Sequence, residues 1–175
     1  MALLSTVSPG EATGELGNLY ARVEGMFGIV PNNVQLLGVS PPILKNQLDF
    51  VDHYLGHSSL SMPLLAMIRM LVSNACKSPY CENLNAGLLM QGGVSAEQIG
   101  AMKSDPGQAP LDDKEKALLL FVLKATGDPH SVVAEDVDKL RSLGWKDQDI
   151  FDAVAHGARS VATNLIFDTF KVDKD

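Results

Sequence analysis

Two cysteines, Cys76 and Cys81, are the residues of this sequence best suited to covalent chemistry. They are the only cysteines among the 175 residues of the chain, and both lie within six consecutive positions. A close pair of thiols in a reducing compartment is more typical of redox chemistry than of a structural disulfide framework. We expect no zinc site, because no second Cys or His pair completes a set of four ligands.

The surroundings of Cys81 predict an activated thiol. Pro79 and the polar link before it predict a helix that begins at about Tyr80, which places Cys81 in its first turn. The unsatisfied N–H groups and the dipole at a helix N-terminus favour a thiolate. Lys77 would add to this effect, whereas the carboxylate of Glu82 would oppose it.

The cysteine pair predicts a dithiol cycle. In this cycle the Cys81 thiolate attacks a hydroperoxide or a disulfide, and Cys76 then resolves the sulfenic acid or the mixed disulfide. Asn85 follows Cys81 by four residues, on the same helix face, and would donate a hydrogen bond to the thiolate or to a substrate oxygen. The alternative is that both cysteines are small buried hydrophobic residues, a common environment for free cysteine.

The pattern of apolar residues predicts an all-α fold, in one domain over residues 1–175. No segment alternates between apolar and polar residues for long enough to indicate a strand. Gly and Pro positions and capping residues set the expected helix boundaries. Helices are expected over 11–27, from Pro41 onward, from Pro63 to about Ser73, over 80–91, after the capping box 95–98, from Asp112 to Gly127, over 134–143 and from Asp147 onward.

Composition and charge exclude several classes of partner. Hydrophobic residues make up 46% of the chain and the formal net charge is -7, with no basic run. Such a chain is not expected to bind nucleic acid or an anionic membrane surface.

The longest apolar stretches are shorter than the roughly 20 residues of a membrane span. The N-terminal segment lacks the basic residues of a secretory signal, so we expect a cytoplasmic protein.

Polar residues inside apolar helices are further candidates. Arg69 is the one charge in the helix that follows Pro63, where it would bind a substrate carboxylate or reach a subunit interface. His53 and His57 lie on the non-core face of the helix from Pro41, and either would be a base near Cys81 or a solvated side chain. His156, one turn after an aspartate, is interpreted as part of an exposed ion-pair face.

Several short motifs occur in an order that is typical of one protein superfamily. They are the FGIVPN segment at 27–32, the Tyr-Cys pair at 80–81, the GGVSAEQI segment at 92–99, and the final helix with 149–154 and Asn164. With these motifs the sequence resembles the carboxymuconolactone decarboxylase and alkyl hydroperoxidase D superfamily, in particular its peroxidase-related branch. The resemblance covers nearly the whole chain. It implies an all-helical bundle built around a helical hairpin, assembled as a homo-oligomer (dimer, trimer or hexamer).

The resemblance also implies a site and an activity. Active hydroperoxidase members carry a Glu, then Cys-x-x-Cys, then a His four residues later. In this sequence Cys81 matches the nucleophile, Ser78 the resolving cysteine, Asn85 the His and Ala66 the Glu. Tyr80 matches a position that is often Tyr or His, which makes it a catalytic candidate. The implied substrates are a small hydroperoxide or disulfide and a thiol reductant, without a metal or an organic cofactor.

The missing Glu and His predict a weak activity. General acid–base assistance is typically worth about 10²–10⁴-fold in rate, so a thiol peroxidase without its relay would be slow. Two alternatives are open. One is a non-catalytic member that binds a small apolar ligand or serves assembly. The other is a lactone or decarboxylase-type enzyme that uses the scaffold without thiol chemistry.

Overall fold

The structure, a computed structural model, describes residues 2–173. This part of the chain contains nine α-helices, two short 3-10 helices and no strand, so the predicted all-α class is confirmed. None of these helices has the length and the apolar character that a bilayer span requires. The described residues group into two compact units, one up to His57 together with the segment from Ile166, and the other Ser58–Leu165.

The first unit holds three helices: α1 (Gly14–Phe27), α2 (Asn32–Leu37) and α3 (Pro41–Leu55). Helix α1 packs on α3 through apolar side chains, and Arg22 of α1 forms an ion pair with Asp52 of α3. The short helix α2 is not evident from the sequence, since the segment around it reads only as a break between two helices. The helix expected over 11–27 begins three positions later, at Gly14.

The second unit holds the remaining helices and the cysteine segment. They are α4 (Met62–Ala75), α5 (Pro79–Gln91), α6 (Ala96–Ser104), α7 (Asp113–Gly127), α8 (Ala134–Ser142) and α9 (Asp147–Thr169), of which α9 continues past Leu165. Helix α4 is buried over almost its whole length and packs against both α5 and α7. The sequence of this helix is apolar nearly all round, a pattern that predicts a central position, and the structure confirms that position.

Local sequence signals set several of the helix ends in this unit. At α6 the predicted capping box is present, because Gln98 N donates to Ser95 Oγ over 3.1 Å and Ser95 N donates to Gln98 Oε1 over 2.9 Å. At α7 the Asp112 carboxylate accepts from Glu115 N over 2.8 Å. These bonds satisfy N–H groups that would otherwise lack a partner at the start of a helix.

Gly157 allows α9 to approach α4 and α7 closely. A Cβ atom at this position would lie 2.6 Å from Val122 Cγ1 and 3.0 Å from Thr126 Cγ2, both on α7, and 3.6 Å from Ile68 Cγ2 on α4. The small residues of α9 predict such a close approach, and the structure confirms it. The contact brings the residue next to Gly157, His156, into the interior of the second unit.

Candidate functional site

The turn between α4 and α5 positions both cysteines. Helix α4 ends in a Schellman motif, in which Ser78 N donates to Ser73 O over 2.9 Å and Lys77 N donates to Asn74 O over 3.1 Å. Lys77 has a φ of 57°, the left-handed conformation that this motif requires and that glycine usually supplies. The chain then enters α5 at Pro79, so Cys76 and Cys81 lie on either side of a tight turn.

The two thiols differ in exposure. Cys76 caps the C-terminus of α4 and is exposed, whereas Cys81 is only 7% exposed in the first turn of α5. Neither is in a disulfide. The predicted position of Cys81 at a helix N-terminus is confirmed. Its burial agrees both with a thiol at a helix N-terminus and with the alternative of a packed hydrophobic side chain.

Ser78 and Tyr80, the two other residues assigned to the motif by resemblance, are both buried. Ser78 is fully inaccessible at the N-cap position of α5, and Tyr80 is 7% exposed in the first turn. Both lie close to Cys81 in the chain, and both side chains are buried within the second unit. Their assigned roles, as the residue at the resolving position and as a catalytic side chain, stay predictions.

A buried polar cluster lies directly behind the cysteine turn. Arg69 Nε on α4 donates to Asn85 Oδ1 on α5 over 2.7 Å, and Arg69 Nη1 lies 3.1 Å from His156 Nε2 on α9. The Asn85 amide nitrogen donates to the backbone carbonyl of Cys81 over 2.8 Å. Asn85 thus contacts the Cys81 turn through the backbone carbonyl, and its expected hydrogen bond to a thiolate or a substrate oxygen stays a prediction.

The structure corrects the interpretation of His156. The sequence places it on an exposed ion-pair face, but its side chain is 5% exposed and faces Arg69. Burial, with the positive charge of Arg69 as a second cause, lowers the pKa of His156 to about 3, although a hydrogen bond with the backbone of Leu65 acts in the opposite direction. The imidazole is therefore neutral at pH 7, and its Nε2 accepts a hydrogen bond from Arg69.

Arg69 keeps its charge in this environment. Burial lowers its pKa to about 10, which leaves the guanidinium protonated at neutral pH. No carboxylate within residues 2–173 forms an ion pair with it, and its side-chain partners are the neutral groups of Asn85 and His156. A buried cation without a carboxylate produces a positive potential that water screens only weakly.

The face of α9 that carries these contacts was not recognised from the sequence. Apolar periodicity favours a stripe of five residues: Ile150, Val154, Ala158, Val161 and Leu165. Of these, Ile150 is buried, but Ala158 is exposed and Leu165 is 69% exposed. The other buried residues of α9 up to Leu165 are small or polar: Ala153, His156, Gly157, Ser160 and Asn164. Asn164 Oδ1 lies 3.2 Å from Ser73 Oγ of α4. Their spacing of three and four residues is the signal that could have identified this face.

The carboxylate beside Cys81 is neutralised by a neighbouring helix. Glu82 forms an ion pair with Lys103 of α6, and the two side chains are 19% and 36% exposed. The sequence predicts that Glu82 opposes a thiolate at Cys81. The Lys103 ammonium reduces this opposition, because an adjacent positive charge offsets part of the negative potential of the carboxylate.

A hollow of about 210 Å³ opens next to Cys76. Most of its lining is apolar and comes from α4, α6, α7, α9 and the 3-10 helix Pro106–Gln108. Four lining residues carry polar or thiol groups: Asn74, Cys76, Lys103 and Thr126. Cys81, Arg69 and the histidines are not among the lining residues, so in the described part of the chain only one thiol faces this hollow.

His53 belongs to the first unit, on the last turn of α3. It is exposed, and its ring centroid lies 4.9 Å from that of Tyr54 and 5.8 Å from that of His57. These contacts are local to α3 and the residues after it. The role of His53 as a substitute base stays a prediction.

Comparison with solved structures identifies the fold. An uncharacterized peroxidase-related protein from Silicibacter sp. TM1040 has a TM-score of 0.87 at 22% identity, covering 99% of this chain and 92% of that one. An uncharacterized peroxidase-related protein with an alkylhydroperoxidase AhpD core, from Ralstonia eutropha JMP134, has a TM-score of 0.87 at 20% identity with the same coverage.

A third structure is similar over a smaller part of this chain. It is a protein of unknown function from Agrobacterium tumefaciens, with a TM-score of 0.67 at 18% identity, covering 78% of this chain and 93% of that one. No protein-family model and no curated protein matches the chain. The resemblance to the alkyl hydroperoxidase D superfamily that the motifs indicate is thus confirmed at the level of the fold.

Proposed function

On the scaffold of an alkyl hydroperoxidase D fold, we propose that this chain is a thiol oxidoreductase that reduces hydroperoxides or disulfides with Cys81 as nucleophile and Cys76 as resolving thiol. One observation carries the proposal: the two cysteines flank the same tight turn, with one buried at a helix N-terminus and the other exposed beside a hollow. A resolving thiol has to meet an external reductant, so the exposed position suits Cys76.

The chemical steps balance without a metal or a cofactor. The Cys81 thiolate attacks the distal oxygen of ROOH, which gives a Cys81 sulfenic acid and an alkoxide that takes up a proton to become ROH. The Cys76 thiol then displaces water from the sulfenic acid and forms a Cys76–Cys81 disulfide. Two equivalents of an external thiol, R'SH, restore both cysteines and leave as R'SSR'.

Disulfide formation requires a local rearrangement of the turn. A disulfide needs its two Cα atoms within about 7 Å and their Cβ atoms directed at each other. Cys76 faces solvent, while Cys81 faces the interior of the second unit. The segment 76–79 therefore has to move for the two sulfur atoms to meet. The left-handed Lys77 is the place where the backbone can reorganise at lowest cost, since it gives up a strained conformation.

Peptide-resolved mass spectrometry tests the proposal. After mild treatment with tert-butyl hydroperoxide, the wild-type protein should yield a Cys76–Cys81 disulfide that dithiothreitol reverses. Cys76→Ser should stop at a Cys81 sulfenic acid that dimedone traps, and Cys81→Ser should yield neither product. If Cys81→Ser consumes peroxide at the wild-type rate, after subtraction of a control without protein, the proposal is wrong.

The hollow supports one alternative, a non-catalytic protein that binds a small apolar ligand. Its lining is mostly apolar, which is typical of small-molecule sites. On this alternative, a small apolar fluorophore should bind equally well to the wild type and to a variant without either cysteine, and peroxide should be left unchanged. No observation favours the lactone or decarboxylase alternative, because the lining of the hollow includes neither Arg69 nor a histidine.

The assembly predicted by resemblance is a separate proposal. Light scattering coupled to size exclusion would measure the mass in solution against the 18.7 kDa of one chain. A mass of two, three or six chains agrees with the predicted homo-oligomer, and a mass of one chain contradicts it.

A further inference from the structure

Arg69 carries a buried positive charge that the dithiol cycle does not use. This guanidinium lies in the second unit among neutral partners, 2.7 Å from Asn85 Oδ1 and 3.1 Å from His156 Nε2. Burying a cation without a carboxylate is costly, and such a charge favours the formation of an anion in its neighbourhood. The structure therefore raises the question of which group becomes that anion.

Cys81 is the group in the right place. It precedes Asn85 by four residues in α5, so the two side chains share one face of the helix, with Cβ atoms about 5–6 Å apart. That face packs on α4, because Asn85 accepts directly from Arg69 there. The second bond of Asn85, from its amide nitrogen to the Cys81 carbonyl over 2.8 Å, ties the guanidinium to the turn that carries the thiol.

We propose that the Arg69 guanidinium, held by Asn85 and His156, is the electrostatic partner of a Cys81 thiolate. Its fixed charge supplies part of the thiol activation. In the active members of the superfamily that this sequence resembles, a Glu and a His supply that activation. The inference rests on the proposed role of Cys81 as nucleophile. Arg69 is a positioning residue here, since it acts on the thiol through its field and through Asn85.

We expect the Arg69 charge to act more strongly on Cys81 than the other charged groups around this turn. From α5, the Glu82 carboxylate is in an ion pair with Lys103 of α6. From α9, His156 is neutral at pH 7, while Asp152 and Arg159 lie one turn before and after it with opposite charges. Lys77, in the turn itself, is exposed and therefore strongly screened.

The test measures the pKa of Cys81 from the pH dependence of its alkylation by iodoacetamide, followed on the Cys81 peptide by mass spectrometry. In the wild type we expect an apparent pKa below the value of about 8.5 of an ordinary cysteine. Arg69→Met should raise that pKa by about one unit, since an opposite charge nearby typically shifts a pKa by about 1–3 units. The alkylation rate at pH 7 should then fall about tenfold.

Arg69→Lys is the matched control, because it keeps the charge and loses the planar guanidinium. Its Cys81 pKa should lie closer to that of the wild type than to that of Arg69→Met. Equal shifts in both variants would assign Arg69 a purely structural role and overturn the inference. A wild-type pKa of 8.5 or above would also overturn it, and this measurement holds even if Arg69→Met fails to fold.

The inference and the proposed function can fail separately. If Cys81 forms a sulfenic acid with peroxide but its pKa is insensitive to the charge at position 69, only the role of Arg69 is removed. If the charge at position 69 shifts the Cys81 pKa but peroxide does not oxidise Cys81, the electrostatic pair stands and the proposed peroxidase activity is removed.

Discussion

Arg69 Nη1 on α4 lies 3.1 Å from His156 Nε2 on α9, so that a charged guanidinium donates to a neutral, buried imidazole. The two residues are 87 positions apart in the chain. Their contact joins the central helix of the second unit to the helix that follows Trp145, directly behind the turn with the two cysteines. Both side chains belong to helices that the sequence predicts, but their pairing depends on tertiary packing.

We expect His156 to make the folded state sensitive to acid. Its folded pKa, about 3, lies below the ordinary value of 6.5, so the unfolded chain binds the proton more readily between these values. Stability is therefore fully present above pH 6.5 and is lost as the pH falls toward 3, by up to about 1.4 kcal/mol per pH unit. Urea unfolding at a series of pH values measures this slope.

The control for this prediction is His156→Gln, whose amide oxygen can still accept from Arg69 and does not titrate. Between pH 6 and pH 4 the free energy of unfolding should fall more steeply with decreasing pH in the wild type than in the variant. The difference in slope should correspond to the uptake of about one additional proton on unfolding. Parallel profiles would mean that His156 is not held neutral in the folded protein.

Gly157→Ala should destabilise the second unit. The added methyl group would lie 2.6 Å from Val122 Cγ1, so α9 has to move away from α7. Overpacking of this kind typically costs about 1–3 kcal/mol. Gly100→Ala is the matched control, since this glycine lies within α6 with no atom near the new methyl group. It should stabilise the protein by about 0.5–1 kcal/mol. Urea midpoints that move in the same direction for both would contradict the assigned close contact.

The ion pair of Glu82 and Lys103 should influence the reactivity of Cys81. Lys103→Met leaves the Glu82 carboxylate uncompensated next to the thiol, so the alkylation rate of Cys81 at pH 7 should fall about two- to fivefold, as for a weakly screened like charge. Glu82→Gln in the same background should restore the rate. If the double variant is as slow as Lys103→Met alone, the effect comes from the lost lysine packing and not from the unmasked carboxylate.

The two thiols should react at very different rates with a bulky reagent. Cys76 is exposed and Cys81 is 7% exposed, so a maleimide coupled to a large dye should label the native protein at Cys76 first. Cys81 should become labelled at a comparable rate only after denaturation in urea. Native labelling of both cysteines at similar rates would show that the cysteine turn opens readily in solution.

Local sequence patterns are sufficient to predict the all-α class, most helix boundaries and the first-turn position of Cys81. These features depend on local physics: the spacing of apolar residues, capping by Ser95 and Asp112, and the restriction that Pro79 places on the start of a helix. The resemblance to the alkyl hydroperoxidase D superfamily depends on the same short-range patterns, together with the order of the motifs.

Which polar side chains are buried together depends on the packing of helices that are distant in the chain, so local patterns do not predict it. Arg69, Asn85 and His156 lie on three helices, and their contacts depend on the approach distance that Gly157 allows. Apolar periodicity identified Ile150 but missed the rest of the buried face of α9, because a helix can bury polar groups once a partner helix satisfies their hydrogen bonds. The sequence likewise does not predict that Cys76 is exposed and Cys81 buried. The exposure of each cysteine depends on which residues from elsewhere in the chain pack over its end of the turn.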